Sequence, residues 1–157
     1  MRPIAQAVIN TQVGKIAIIN NANTLLKIDL YAQSTPYQID GSNALTEAVC
    51  EQLLDYFEHR LLTFKIPIAE QGTAFQQRVW KVMSQIPYGE SLTYGQLAKQ
   101  IGSSARAVGG ACRRNPLPII RPCHRVVAAT GIGGYSGQWW DGHKVDIKKW
   151  LLTHETY

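Results

Sequence analysis

Short apolar runs at residues 5–9, 15–19 and 25–30 are interrupted by Gly14 and by Asn20-Asn21. β-branched and apolar stretches punctuated by turn formers suit a half-buried pleated surface, so this spacing predicts three strands of a small antiparallel sheet. Residues 34–43 carry no periodicity and read as loop. From Leu45 the period changes: Leu45, Val49, Leu53 and Tyr56-Phe57 recur at helical spacing and predict one helix. Residues 67–72 read as a linker, which divides the chain into an α/β lobe over 1–70 and a second domain over 71–157.

The second part marks its helices more openly. Phe75, Val79, Val82 and Met83 form one stripe that stops before Pro87 and the Tyr88-Gly89 turn. Thr93 and Gln96 have capping-box spacing, in which a hydroxyl and an amide three residues apart satisfy each other's free backbone N–H groups. Leu97 and Ile101 then face inward, Gly102 supplies a left-handed stop, and Ser103 or Ser104 opens a helix that Asn115-Pro116 ends. Two short helices about a Gly-Ser turn predict a helix-turn-helix, with residues 104–114 in the recognition position. Beyond Pro122, residues 123–129 read as a strand and residues 131–137 as a glycine-rich turn. Residues 144–154 read as a closing helix that buries Ile147, Trp150 and Leu151. The fold class expected is α+β, a small sheet with a helix followed by a helix-turn-helix domain.

Charge changes this picture from architectural to functional. Residues 1–70 hold 5 basic and 7 acidic side chains, whereas 71–157 hold 11 basic and 4 acidic. No acidic residue lies between Glu90 and Asp141, a stretch that contains Lys99, Arg106, Arg113, Arg114, Arg121 and Arg125. Such asymmetry is the electrostatic footprint of a polyanion, although a solvated basic face gives the same count. No apolar run reaches the roughly 18 residues that span a bilayer, and the first residues lack the order of a signal peptide. A cytoplasmic protein without a membrane partner is expected. Cys50, Cys112 and Cys123 make an odd count with no Cys-x-x-Cys pair, so neither a disulfide framework nor a metal site is expected.

The chemistry concentrates at Pro122-Cys123-His124-Arg125. Thiolate, not thiol, is the nucleophile, and a Cys beside His and two Arg is expected to have a depressed pKa. Burial as an ordinary small hydrophobe is the competing reading. The recognition helix is equally distinctive. Ala105, Ala107, Gly109, Gly110 and Ala111 are all small, and each interior glycine costs roughly 1 kcal/mol relative to Ala. Close packing against the core explains such a helix; so does close approach of its backbone to DNA, with Arg106, Arg113 and Arg114 at phosphates.

Together the segments Ala105-Arg106-Ala107-Val108-Gly109-Gly110-Ala111, Arg113-Arg114-Asn115-Pro116-Leu117-Pro118-Ile119-Ile120, Pro122-Cys123-His124-Arg125-Val126, Gly134-Tyr135-Ser136-Gly137 and Trp150-Leu151-Leu152 with His154-Glu155 resemble the O6-alkylguanine-DNA alkyltransferases. The resemblance covers about residues 73–155; residues 1–70 fit that family's ribonuclease-H-like lobe loosely. It implies a winged-helix-like second domain and a suicide repair protein. That protein flips O6-alkylguanine, or O4-alkylthymine, out of double-stranded DNA and takes the alkyl group irreversibly onto Cys123.

By the same resemblance, His124 acts on Cys123 through a water, Glu155 orients His124, and Asn115 braces the turn. Tyr94 donates to the departing base, Ser136 and the Tyr135 backbone contact it, and Arg106 fills the gap left in the stack. Ala105, Ala107, Gly109, Gln96, Gln76, Arg113 and Arg114 are the expected DNA contacts. The implied protein works as a monomer with no small-molecule cofactor and no metal. Two departures stand out. Arg121 replaces an aliphatic residue beside the thiol, and Gln138-Trp139-Trp140-Asp141-Gly142 is an insertion whose indoles either stack at the pocket lip or pack on the closing helix.

Two other classes fit parts of the pattern. A winged-helix regulator that senses oxidation or alkylation at Cys123 keeps the DNA footprint without repair. A Cys/His hydrolase leaves the basic stretch without a role and shows no oxyanion-forming motif.

Overall fold

The structure is a computed structural model in which residues 1–135, 138 and 142–156 are described. The chain forms two compact units, Met1–Glu70 and Gln71–Tyr157.

In the first unit β1 (Ile4–Ala5), β2 (Ala7–Thr11), β3 (Gly14–Asn20), β4 (Leu25–Asp29) and β5 (Gln38–Ile39) precede α1 (Ala44–Phe57). Strands β2, β3 and β4 form an antiparallel meander in which Val8 faces Ala17 and Ile18 faces Ile28. The stretch expected to be loop contains β5, which pairs in parallel with β1. Two-residue strands leave no measurable period, so pattern alone misses them. The expected linker is also partly structural. Leu25 N–H donates to Pro67 O at 2.8 Å and Ala69 N–H to Leu25 O at 3.0 Å, which stitches its first half to β4. Asn43 and Thr46 close a capping box on α1, and Val49, Leu53, Tyr56 and Phe57 supply its buried stripe.

In the second unit α2 (Ala74–Ser84) leads to β6 (Leu92–Thr93), α3 (Tyr94–Ile101) and α4 (Ala105–Arg113); β7 (Val126–Val127) and α5 (His143–His154) follow. Thr73 with Gln76 and Thr93 with Gln96 form capping boxes, and Ser104 caps α4 by accepting from Ala107 N–H. The turn between α3 and α4 rests on Gly102 at φ +68°, the left-handed region where a side chain is disfavoured. α2, α3 and α4 pack on one another, and the Trp80 indole N–H donates to Ala111 O at 2.9 Å to fix α2 against α4.

The run 123–129 is not the single strand that its β-rich composition suggests. Cys123–Arg125 is a 3-10 turn, Val126–Val127 pair in parallel with Leu92–Thr93, and Ala128 makes an isolated antiparallel bridge to Gly131. Pro122 has no N–H to give a ladder, and the Arg125 N–H bonds back to Pro122 O at 3.0 Å. The pairing of β6 with β7 brings the start of α3 beside the segment that follows Cys123. Within α5, Val145, Ile147, Lys148 and Leu151 are buried, whereas Trp150 is only half-buried and stacks on His154. Gln138, from the insertion, accepts from Lys144 and Val145 N–H groups and so caps α5. Ser136, Trp139, Trp140 and Asp141 lie outside the described residues. Among the described residues no helix is long and apolar enough to cross a membrane.

Candidate active site and nucleic-acid interface

The segment that carries the thiol is held rigid before the thiol is reached. Asn115 Oδ1 accepts from Leu117 N–H at 3.0 Å, and Asn115 Nδ2 donates to Arg121 O at 2.8 Å. Arg121 O also accepts from Cys123 N–H at 2.8 Å, so one carbonyl joins the turn to the Cys123 backbone. Ile119 adopts φ +72°, a left-handed conformation that costs a β-branched residue about 1–3 kcal/mol and that the surrounding bonds hold in place.

Cys123 is 7% exposed, and its Sγ lies 3.7 Å from the Tyr135 hydroxyl. Burial pushes its pKa up; hydrogen bonding from Asn115 and Tyr135 and the charge of Lys148 pull against that rise. The expectation of a depressed pKa is therefore corrected, because desolvation of the thiolate outweighs every favourable partner. Arg121 does not supply the missing charge. Its guanidinium lies 4.7 Å above the Trp80 ring, and Arg125 points to Glu155.

His124 is fully buried, and its Nε2–H donates to Glu155 Oε2 at 2.7 Å. Glu155 is also clamped by Arg125 through Nε to Oε1 at 2.8 Å and Nη2 to Oε2 at 2.9 Å. The remaining Arg125 nitrogen donates to Ile86 O at 2.7 Å. His124 Nδ1 is buried and makes no hydrogen bond with the described residues. Burial lowers the His124 pKa, partly offset by Glu155, so the ring is neutral near pH 7 with Nδ1 as its basic nitrogen.

Tyr94, the first residue of α3, sets its hydroxyl 3.4 Å from Gly134 O. The same hydroxyl oxygen accepts from Lys148 Nζ at 3.3 Å, and Lys148 also donates to Val126 O at 2.7 Å and Gly134 O at 2.9 Å. Lys148 is fully buried, which lowers its pKa from 10.5 to about 8. Burial keeps Tyr94 protonated well above pH 10. Gly133, at φ +80°, lies so close to the Tyr94 ring and Ala128 that a Cβ there would come within 3.1 Å of the ring. The left-handed backbone disfavours any side chain there, and an added Cβ would also crowd the ring.

The structure thus brings Cys123 to Tyr135, His124 to Glu155, and Asn115 to the Cys123 turn. Lys148, Arg125 and the Tyr135 side chain were missed as site groups. A signal existed for Lys148: Val145, Lys148 and Leu151 share one helical stripe, so a lysine stood where a core residue belongs.

Ala105, Arg106 and Arg113 of α4 and Arg114 just beyond it are exposed, and Ala107 is half-buried. Gly109, one of the expected DNA contacts, is buried together with Val108, Ala111 and Cys112 on the inward face. Gly110 points outward instead: a Cβ built there meets nothing within 4 Å. Gln76 and Gln96 spend their carbonyl oxygens on the N-termini of α2 and α3.

The profile of the family "6-O-methylguanine DNA methyltransferase, DNA binding domain" matches residues 74–157. The constitutive methylated-DNA--protein-cysteine methyltransferase of Bacillus subtilis is 44% identical over 108 residues, which are 67% of this chain and 62%, less than two thirds, of that protein. The methylated-DNA--protein-cysteine methyltransferase of Mycobacterium tuberculosis is 40% identical over 136 residues, with 82% of each chain covered. A crystal structure of Mycobacterium tuberculosis OGT in complex with DNA superposes with a TM-score of 0.81 at 36% identity, covering 95% of this chain and 90% of that one. The chain belongs to the 6-O-methylguanine DNA methyltransferase family.

Proposed function

We propose that this protein transfers an alkyl group from O6-alkylguanine in duplex DNA to its own Cys123, once per molecule. The observation that carries the reading is a buried, hydrogen-bonded nucleophile inside the unit that displays Arg106, Arg113 and Arg114 on an exposed small-residue helix. A sulfur 7% exposed cannot reach a base within the stack, so the base must be flipped out to meet it. The Mycobacterium tuberculosis relative, solved in complex with DNA, supports DNA as the partner.

In this reading a water between the Cys123 thiol and His124 Nδ1 carries the thiol proton to the imidazole. Glu155 fixes the tautomer that leaves Nδ1 free to take it and stabilises the imidazolium that results. The thiolate attacks the alkyl carbon, the C–O6 bond breaks, and its electron pair leaves with the guanine. Tyr94 supplies a proton to that base, and the Lys148 ammonium offsets charge developing on the phenol oxygen. Asn115 positions the turn, the Tyr135 backbone and Ser136 meet the flipped base, and Arg106 occupies its place in the stack. Ala105, Ala107, Gln76, Gln96, Arg113 and Arg114 lie toward the duplex. The protein acts as a cytoplasmic monomer without a cofactor.

A thioether is a poor leaving group, so the product is final. Incubation with excess methylated oligonucleotide should add one methyl mass per chain, located on Cys123, and none to Cys123→Ser. Several turnovers per chain, or transfer to Cys123→Ser, overturns the proposal. A regulator and a hydrolase both lack that mass change.

A further inference from the structure

The Tyr135 side chain stands closer to the chemistry than backbone contact with a base requires. Its hydroxyl lies 3.7 Å from Cys123 Sγ, and both residues are buried, at 4% and 7% exposure. A phenol differs from the other groups around the sulfur because it can both accept from S–H and donate to S⁻ without moving. Lys148 from α5 brings charge, Asn115 from the preceding turn brings an amide, and Tyr94 from α3 and Cys112 from α4 are further titratable groups near it among the described residues, with His124 next in the chain.

We propose that the Tyr135 hydroxyl is a catalytic hydrogen-bond partner of the Cys123 sulfur, accepting from the resting thiol and donating to the thiolate as its proton departs. The S–H is a weak donor, so little is gained in the resting state. A bond to a full negative charge is roughly twice as strong as a neutral one, so the contact strengthens as the nucleophile forms. That asymmetry is what a catalytic contact requires.

The inference rests on Cys123 as the reacting thiol, and it can be tested without DNA. Iodoacetamide reacts when the thiolate displaces iodide, and peptide masses separate Cys123 from Cys50 and Cys112. In Tyr135→Phe, which removes one oxygen and keeps the ring, the pH midpoint of Cys123 alkylation should rise by about one unit. The rate at pH 7 should then fall about tenfold. A purely structural role would change melting temperature without moving the midpoint. Should the Phe variant fold poorly, 3,5-difluorotyrosine at position 135 keeps the shape and makes the phenol a stronger donor; it should move the midpoint down. An unmoved midpoint in the folded variants overturns the inference even if methyl transfer from DNA persists. A moved midpoint supports it even if methyl transfer fails, an outcome that overturns only the repair reading.

Discussion

Glu155 is the hinge of the buried ionic chain, and replacing it tests whether that chain is held by charge or by shape. In Glu155→Gln, one carboxylate oxygen that accepts from Arg125 or His124 becomes an N–H₂ group facing a donor. Arg125, 7% exposed, is left as a buried cation without its counter-ion. Removing one partner of a buried pair costs about 3–5 kcal/mol. At about 2–4 °C per kcal/mol for a chain of this size, the melting temperature should fall by about 6–20 °C. Arg125→Met strands the carboxylate instead and should cost a comparable amount. The double variant removes both charges, while the amide introduced by Glu155→Gln can still reach His124. It should therefore melt above Glu155→Gln alone, with a coupling energy of roughly 1.5 kcal/mol or more in the double-mutant cycle. Thermal unfolding of the four proteins, followed by circular dichroism, decides the matter. Additive losses would show that charge pairing is not what holds Glu155, and a fall of under about 2 °C in Glu155→Gln would remove the argument.

Three further outcomes follow from other parts of the unit. The fall of the Lys148 pKa from 10.5 to about 8 means that the unfolded chain binds more protons between those pH values; stability of the parent relative to Lys148→Met should therefore rise across that window by about 3 kcal/mol, and parallel urea midpoints at every pH would refute it. Gly110→Ala should raise stability by up to about 1 kcal/mol, because the new methyl meets nothing, yet weaken duplex binding; unchanged affinity in a fluorescence titration would place DNA elsewhere. Arg106→Ala should slow methyl transfer from duplex more than from a free O6-alkylguanine base, and equal slowing on both substrates would remove its role in extrusion.

The helices about the Gly-Ser turn were legible because they carry their own start and stop signals. Thr93 and Ser104 cap the helices that their sequence spacing predicts, and Gly102 stops α3 where a left-handed residue is needed. The short strands were not legible, since β1, β5, β6 and β7 have two residues each and owe their existence to a distant partner. Local preference also misread Cys123–Arg125, whose β-rich composition was overruled by Pro122 and by the bonds that fold the turn back on itself. The direction of the thiol's pKa failed for a related reason. Neighbours in sequence suggested positive charge, but Arg121 and Arg125 both turn elsewhere, and the cation that does act on the sulfur arrives from α5. Periodicity shows which positions are buried; it does not show what a buried lysine will meet.

The bond between His124 and Glu155 spans 31 residues of chain. During translation at roughly 5–20 residues per second, Cys123 and His124 are joined to the chain about 2–6 s before Glu155 is. Through that interval the imidazole has no carboxylate to orient it, and the thiol lacks Lys148 and the packing of α5. The hydrogen bonds and charge around Cys123 and His124 are therefore assembled late, when α5 packs against the turn that carries them.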